Sequence, residues 1–296
     1  MRLLILPHIK IHNANALSSP FTIGFPAMTA WLGFTHALER KLNQAGLNDL
    51  LLHSAAVVSH QCDVQTHKGD GDFVHSIIGT GNPLDKDGSR SAFIEEARCH
   101  LDVSLIIEYK GNEVQTEQQG FIERLQQIIA SMKVAGGDVL SLQKPFIKLV
   151  NENDEQETTR LMCQLMPGYV LIERRDLMVE AMQQGADALD ALLSYLTVNH
   201  SCEQVENDTV VWQSQRKAAG WIVPIATGFQ GISPLGQAKN QRDSSVPHRF
   251  AESVVTLGEF VMAHKIKHID DVLWQYSPDL ENDLYLCQQV NAMHEY

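Results

Sequence analysis

An uncharged connector near the start of the chain carries most of the residue types that can hold a bent ligand. Its amide, hydroxyl, aromatic and glycine residues are Asn13, Asn15, Ser18, Ser19, Phe21, Thr22, Gly24 and Phe25. Amides and hydroxyls can hydrogen-bond base edges and 2′-hydroxyls, and exposed rings can stack on bases. A helix is predicted to follow, and its amino end can accept a phosphate. These features are typical of a site for single-stranded nucleic acid or a phosphorylated ligand.

A second group of candidates lies beside turns rich in Gly, Pro and Asn. Its members are the basic residues Lys86, Arg90, Arg98, Arg242 and Arg249, together with the ring of Phe229. A single surface cation is usually only solvated. The shared setting nevertheless predicts phosphate contacts for the basic residues and stacking for Phe229.

The helix after the connector has a polar stripe formed by Thr29, Gly33, His36 and Arg40. A histidine in this position could be a general base for metal-independent RNA cleavage, or it could hydrogen-bond a backbone carbonyl. Both interpretations stay open from the residues alone. Elsewhere, His60 and Cys62 point the same way from a predicted strand, but the sequence shows no companion ligand for them, so no metal site is predicted.

Recognised catalytic and cofactor motifs are missing from the sequence. There is no phosphate-binding G-x-x-x-x-G-K-[ST] loop, no G-x-S-x-G elbow, no H-E-x-x-H pair, and no G-x-G-x-x-G after a strand. The five cysteines are scattered and never form C-x-x-C, which favours free thiols in a reducing cytoplasm. No apolar run reaches 18 residues, and the apolar start is interpreted as a first strand. We therefore expect a cytoplasmic protein with no cofactor, metal or membrane span.

The charge balance limits how the chain can bind a polyanion. The 296 residues carry 23 basic and 36 acidic side chains, for a formal net charge of −13. A free-standing, sequence-independent nucleic-acid binder normally has a basic surface. We therefore expect any contact with RNA to depend on a locally shaped site, beside basic partner subunits. A small-molecule enzyme with a pocket at 220–231 would fit the charge equally well.

The first half of the chain predicts a β-α-β-β-α-β order. Alternating and continuous apolar runs predict strands at 3–11, 50–65, 101–107 and 139–142, with the second run forming one strand or two. Apolar residues at helical spacing predict one helix from Pro26 to Gly46 and another over 121–132. We expect an α+β fold with a ferredoxin-like, RNA-recognition-type core at 1–150 and a loop insertion at 66–91.

The second half, 151–296, is interpreted as a helical or mixed extension packed on that core, not clearly an independent domain. Its predicted elements are a helix start near 151–157, a strand at 169–172, two helices over 175–197, a surface loop at 199–210, a strand at 221–225 leading into a glycine-rich turn at 226–229, and a last helix marked by Phe250, Val254, Leu257, Gly258 and Val261.

Short motifs in a specific order and spacing run nearly from end to end of the chain. They occupy 13–20, 24–26, 33–38, 82–89, 95–101, 135–137, 165–169, 220–225, 233–235, 249–250 and 257–259. Through these motifs the chain resembles the 5′-handle-binding subunit of type I-F CRISPR surveillance complexes, the Csy or Cascade-like assemblies. The segment 145–215 is the part least covered by the resemblance.

The resemblance implies a non-catalytic RNA-binding scaffold. Such a subunit grips the 5′ handle of the guide RNA, pairs with the large subunit, abuts the repeated backbone subunits and meets target DNA through the complex. The matched motif Ala135-Gly136-Gly137 adds Gly136 and Gly137 to the RNA-binding candidates, and the insertion at 66–91 becomes a clamp with Lys86 and Arg90 on phosphates. The alternative is a metal-independent endoribonuclease of the same fold, using His36 with Tyr169 and Lys86 or Arg40 on precursor guide RNA.

Overall fold

The computed structural model describes residues 1–47, 49–78, 83–90, 96–111, 120–205, 209–241 and 243–290. Strands dominate this part of the chain. In chain order they are β1 (Arg2–Asn15), β2 (Leu17–Ser19), β3 (Thr22–Ile23), β4 (Leu51–Val64), β5 (Thr66–His67), β6 (Ser76–Ile77), β7 (Arg98–Lys110), β8 (Lys133–Val134), β9 (Gly137–Ser141), β10 (Phe146–Leu149), β11 (Tyr169–Glu173), β12 (Val198–Val205), β13 (Thr209–Arg216), β14 (Ile222–Gly231), β15 (Ala251–Met262), β16 (Trp274–Asp279) and β17 (Leu284–Gln289).

Five α-helices accompany these strands in the described residues. They are α1 (Met28–Gln44), α2 (Phe121–Ala130), α3 (Glu155–Cys163), α4 (Arg175–Gln183) and α5 (Ala188–Leu196). Short 3₁₀ turns follow β15 at Ala263–Lys265 and Ile269–Val272. The described helices are all too short or too polar to cross a bilayer.

The longest helix forms for the reason that its sequence indicates. Trp31, Phe34, Leu38 and Leu42 recur at helical spacing and are all buried against the sheet. The helix begins at Met28, two residues after the predicted start at Pro26. It stops before Gly46, whose φ of +98° is a conformation that favours glycine and ends a helix.

One antiparallel sheet of eleven strands organises the described residues. Its path runs β11-β15-β14-β17-β16-β4-β7-β1-β9-β8, and β10 pairs with β1. The first half of the chain supplies the neighbouring strands β4, β7, β1 and β9, with α1 between β1 and β4 and α2 between β7 and β9. The protein is therefore a mixed α+β chain built around a large antiparallel sheet.

The second half extends the same sheet. Because β11 pairs with both β15 and β4, the strands β4, β11, β15, β14, β17 and β16 form a closed circuit of pairings. Trp274 of β16 is fully buried, and its indole Nε1 donates to the carbonyl of Leu171 in β11 at 3.0 Å. This bond crosses the circuit and links its two sides.

Apolar side chains cover both faces of the sheet at its centre. In β1, Leu4 and Leu6 face the cluster under α1 and α2, whereas Leu3 and Ile5 face a second cluster under α3 and the 3₁₀ turns. Beyond His8 the strand alternates, so that Ile9 and Ile11 are buried and Lys10 and His12 are exposed. A third cluster lies between α4, α5 and the β14–β15 pair.

Three predictions about the second half are wrong. Of the residues of the predicted last helix, Val254, Leu257, Gly258 and Val261 belong to strand β15, which pairs with β11 and β14, and Phe250 directly precedes that strand. The predicted surface loop at 199–210 lies largely within the β12–β13 hairpin. The predicted turn at 226–229 lies inside β14, where a register shift between Ala226 and Gly228 absorbs an extra residue. The strand near 169–172 and the two helices over 175–197 are confirmed as β11, α4 and α5.

Candidate nucleic-acid interface

The connector folds into a small hairpin, β2–β3, whose hydroxyls bond one another. The Oγ1 of Thr22 lies 2.8 Å from the Oγ of both Ser18 and Ser19, and the backbone N–H of Phe21 donates to Ser19 Oγ at 3.1 Å. Ser19 and Thr22 are buried, whereas the Phe21 ring at the hairpin tip is 76% exposed. The hydroxyls therefore shape the turn, and the turn presents Phe21 to solvent.

Phe25 lies in a cluster of rings at the other end of the connector. It stacks on Trp31 with centroids 5.3 Å apart and meets Phe260 edge-on at 5.3 Å. Trp221 packs against Phe260 and Tyr169 in turn. The rings of Phe25, Tyr169, Trp221 and Phe260 line a cavity of about 270 Å³ together with residues 59–62 of β4. Unlike Phe21, Phe25 is thus part of a packed wall.

Asn13 stands at a bulge near the end of β1. The pairing of β1 with β7 shifts register between Ile11 and Ala14, and Asn13 adopts a φ of +55°. Asparagine tolerates this left-handed conformation better than most residues. The N–H released from the ladder donates to His100 Nδ1 at 3.2 Å. The bulge therefore turns the Asn13 side chain away from the regular strand register.

The Ala135-Gly136-Gly137 motif meets the connector at this bulge. Ala135 and Gly136 form the turn of the β8–β9 hairpin with φ values of +48° and +78°. The backbone N–H of Asn15 donates to the carbonyl of Ala135 at 2.8 Å. A Cβ on Gly137 would lie 2.7 Å from the backbone of both His12 and Ala14, so only glycine allows this approach. Two segments that are distant along the chain are thereby held together.

A cavity of about 350 Å³ opens where these segments converge. Asn13 and Gly136 line it with Gln65, Ile78 and Arg98. The guanidinium of Arg98 bonds the Glu96 carboxylate and lies 3.5 Å from the carbonyl of Asn13. Both side chains of the ion pair are about one-third exposed. The cavity thus offers two amides, a backbone turn and a solvent-accessible cation.

Two lining residues, Gln65 and Ile78, were not among the sequence candidates. Gln65 follows β4, and its backbone N–H donates to the carbonyl of Arg98 at 2.8 Å. Ile78 follows β6, and its N–H donates to the carbonyl of Gln65 at 3.3 Å. The only sequence signal was that both lie at or within the predicted insertion at 66–91. Their placement depends on pairing between distant strands, which no local pattern reveals.

The amino end of α1 completes the connector. Its N-cap is Ala27, which supplies no side-chain cap, and the first turn holds no acidic residue. Gly24, with a φ of +148°, precedes this end, and its N–H donates to the carbonyl of Ala16 at 2.9 Å. Thr29 and Gly33 are half-buried, while His36 and Arg40 lie further along the same helix. Uncapped N–H groups at such an end favour an anion.

The remaining basic candidates are spread over other elements. Lys86 is exposed in the segment 83–90, which also contains Arg90. Arg249 forms an ion pair with Asp283, and its Nε is buried without a hydrogen-bond partner in the described residues. Phe229 is 43% exposed on β14. Arg242 lies outside the described residues. The structure therefore describes the surroundings of only part of the second candidate group.

The residues that the endoribonuclease alternative would use lie in different parts of the structure. Tyr169 packs edge-on against Trp221 in the ring-lined cavity. His36 is exposed on α1 and forms no hydrogen bond or ion pair with the other described residues. The cavity residues around Tyr169 do not include His36, Arg40 or Lys86. The described contacts therefore do not bring this set together.

Comparison with known proteins identifies the family. The model of the family described as CRISPR-associated protein (Cas_Csy2) matches residues 4–287. A relative from Pseudomonas aeruginosa (strain UCBPP-PA14), named CRISPR-associated protein Csy2, is 33% identical over 310 residues, which span 96% of this chain and 94% of the relative. The match extends over the connector, the cavity and the closed circuit of strands. The chain therefore belongs to the Csy2 family of CRISPR-associated proteins.

Proposed function

We propose that the protein is a non-catalytic subunit of a type I-F CRISPR surveillance complex that holds the 5′ handle of the guide RNA. Membership of the Csy2 family supports the assignment to the complex. The handle-binding role rests on one structural observation: Asn13 of the connector and Gly136 of the β8–β9 turn line the same cavity with Arg98. We assign this cavity and the β2–β3 hairpin to the guide.

The fold of the first half fits an RNA-recognition role. The strands lie in the order β9-β1-β7-β4, all antiparallel, and α1 and α2 share one core cluster on one face. This is the strand order expected of a ferredoxin-like βαββαβ core. We assign residues 1–150 to such a core and 151–296 to an extension whose strands continue its sheet.

Each part of the interface supplies a different contact to a bent single strand. The exposed Phe21 ring offers a stacking surface worth about 1–3 kcal/mol per base. The amides of Asn13 and Gln65 offer hydrogen bonds to base edges or 2′-hydroxyls. Arg98 offers a charge to a phosphate, and the uncapped end of α1 offers N–H groups worth about 0.3–1 kcal/mol.

These local contacts explain how a chain of net charge −13 can hold RNA. A phosphate that approaches Arg98 competes with Glu96, and both side chains are open enough to solvent for such an exchange. Displacing Glu96 from Arg98 costs binding free energy. The affinity for RNA is therefore expected to come from stacking and directed hydrogen bonds more than from charge. Basic neighbouring subunits of the complex supply the remaining attraction.

The partners follow from the same assignment. We propose that the chain pairs with the large subunit, abuts the repeated backbone subunits and meets target DNA only through the complex. The segment 83–90, with the exposed Lys86, and the turn around Gly71 are assigned to a clamp over the guide. Co-purification of tagged large subunit with this chain, with and without guide RNA, tests the pairing.

Binding of the handle RNA by the assembled complex tests the interface. We expect Arg98→Gln, Asn13→Gly and Phe21→Ala each to weaken binding by roughly tenfold, and Arg98→Gln also to lower the slope of log affinity against log salt by about one. Matched controls are Arg124→Gln on α2 and, on the β12–β13 hairpin, Asn199→Gly and Trp212→Ala. Equal affinity in all six variants contradicts the assigned interface.

A further inference from the structure

Three potential metal ligands from three neighbouring strands converge on the sheet. They are His8 of β1, His60 of β4 and Asp102 of β7, and one ligand atom from each lies within 4.8 Å of the other two. His8 Nδ1 is 2.9 Å from Asp102 Oδ1, and the two imidazoles stack with centroids 4.1 Å apart. All three residues are half-buried. No sequence spacing could show this cluster, because β1, β4 and β7 are distant along the chain.

The backbone at His8 is bent to place its ring in the cluster. The β1–β7 pairing shifts register between Leu6 and Ile9, and His8 has a φ of +48°. A residue with a Cβ pays about 1–2 kcal/mol for this left-handed conformation. The His8 N–H, displaced from the ladder, donates to Ser104 Oγ at 3.0 Å. Strain of this kind concentrates where a side chain has a specific role.

The hydrogen bonds of His60 leave one of its nitrogens able to bind a cation. Its Nδ1 lies 2.6 Å from the carbonyl oxygen of Pro167, which can only accept, so Nδ1 carries the proton. Its Nε2 is then a lone-pair acceptor and takes the hydroxyl proton of Ser104 at 2.7 Å. A histidine that ligates a metal commonly has its second nitrogen fixed by a backbone carbonyl in this way.

We propose that His8 Nδ1, His60 Nε2 and the Asp102 carboxylate bind a divalent transition-metal ion of the zinc type, with the fourth position open to water. Two imidazoles and a carboxylate are a ligand set that zinc accepts. Zinc bonds of about 2.0–2.2 Å put tetrahedral ligands about 3.4 Å apart, so closing the site requires the ligand atoms to move by about an ångström and the stacked imidazoles to rotate until the metal lies in both ring planes. The metal displaces the proton on His8 Nδ1 and the hydroxyl of Ser104.

The ion would cross-link the centre of the sheet. Its ligands join β1, β4 and β7, and His60 carries the link through Pro167 to the turn before β11. β11 also pairs with β4, so the metal lies where the two halves of the sheet meet. The ion would therefore stabilise the folded chain and fix the bulge at His8. This inference does not depend on the RNA-binding role.

Zinc titration of the full-length chain, stripped with a chelator and dialysed, tests the proposal. We expect one zinc per chain by calorimetry and elemental analysis, with a rise in Tm. When free zinc is 100 times Kd, the folding equilibrium constant should rise about 100-fold. Cobalt in place of zinc should give the visible absorption bands of a low-symmetry nitrogen and oxygen site. No bound zinc, or bound zinc with no change in Tm, overturns the proposal.

Two variants separate this site from general histidine binding. Asp102→Asn keeps the size and the acceptor oxygen of the side chain but removes the charge, and should abolish the zinc-dependent rise in Tm. His12→Gln is the matched control, since His12 stacks on His100 at 4.5 Å on the same two strands outside the cluster. It should bind zinc as the unaltered chain does. Equal zinc binding by Asp102→Asn, or an equal loss in His12→Gln, contradicts the assignment.

Discussion

The backbone N–H of Asn15 donates to the carbonyl oxygen of Ala135 at 2.8 Å, and this bond fastens the connector to the β8–β9 turn. It brings the end of β1 beside a hairpin that follows α2. The cavity lined by Asn13, Arg98 and Gly136 opens at this junction. The shape of the proposed guide-binding surface therefore depends on how closely the backbones of β1 and the β8–β9 hairpin approach each other.

Gly137→Ala should destabilise the chain. The added Cβ would lie 2.7 Å from the backbone N of Ala14 and the carbonyl oxygen of His12, and neither can rotate away. We expect a loss of about 1–3 kcal/mol in the free energy of unfolding. The control is Gly33→Ala, where the added Cβ has no other atom within 4 Å. Because alanine favours a helix more than glycine does, this substitution should stabilise α1 by about 0.5–1 kcal/mol. Urea unfolding measures both, and equal stability of the two variants contradicts the close approach.

Asn13 allows backbone strain and ligand contact to be separated. Asn13 has a φ of +55°, which glycine adopts easily and valine does not. Asn13→Gly should therefore change the free energy of unfolding by no more than about 1 kcal/mol, whereas Asn13→Val should lower it by about 1–2 kcal/mol. Both remove the amide and should weaken guide binding alike. Thermal unfolding and handle-RNA affinity, measured on the same preparations, check this pattern. If Asn13→Gly keeps full affinity, the amide does not contact the guide.

Glu173 should make the stability of the fold depend on pH. Its side chain is buried, and burial raises the pKa of the carboxyl to about 7, although Gln289 N–H donates to it at 3.0 Å and Arg175 is near. The folded state therefore holds the proton more tightly than the unfolded state. Stability should be full below about pH 4.5 and fall by about 3 kcal/mol as the pH rises through 7.

Glu173→Gln removes that titration. Its unfolding free energy should change less than that of the unaltered chain between about pH 5 and 8, and the variant should be the more stable one at the alkaline end. Glu123→Gln, on the exposed face of α2, controls for the loss of one negative charge. Urea unfolding at several pH values measures the difference. Parallel pH profiles for Glu173→Gln and the unaltered chain would contradict a buried, titrating carboxyl.

The non-catalytic assignment predicts no cleavage of precursor guide RNA. We expect the purified chain in EDTA to leave a handle-containing precursor intact, and His36→Ala to behave identically. The reason is that His36 is exposed on α1 while Tyr169 packs against Trp221 in the ring-lined cavity. Gel analysis of labelled RNA decides the matter. Site-specific cleavage that His36→Ala abolishes would establish the endoribonuclease instead.

Local patterns predicted the first half of the fold well and the second half less well. The α1 stripe of Trp31, Phe34, Leu38 and Leu42 is buried as expected. In β15, Leu257, Gly258 and Val261 have the same helical spacing but lie in a strand. Their neighbours are rich in β-branched residues, and Gly258 lets Ile225 and Leu171 pack close to the backbone. Pairing with β11 and β14, which is non-local, decided the conformation.

The site was predictable in part for a related reason. Composition identified the connector, and the resemblance added Gly136, which the structure places beside Asn13 in one cavity. Neither revealed Gln65, or that Ser19 and Thr22 hydrogen-bond each other in a buried turn. The cluster of His8, His60 and Asp102 was missed because its three residues come from three different strands, β1, β4 and β7. Sequence spacing reports neighbours on one element only.

Photo-cross-linking of the assembled complex shows directly whether the tip of the β2–β3 hairpin contacts the guide. A photoreactive phenylalanine analogue would replace Phe21 at the exposed hairpin tip, and the control would carry it at Trp212, which is 70% exposed on β13. After irradiation, the cross-linked nucleotide is mapped. We expect a cross-link from position 21 to the 5′ handle of the guide and none from position 212. Absence of guide RNA cross-links at position 21 in an intact complex would contradict this contact.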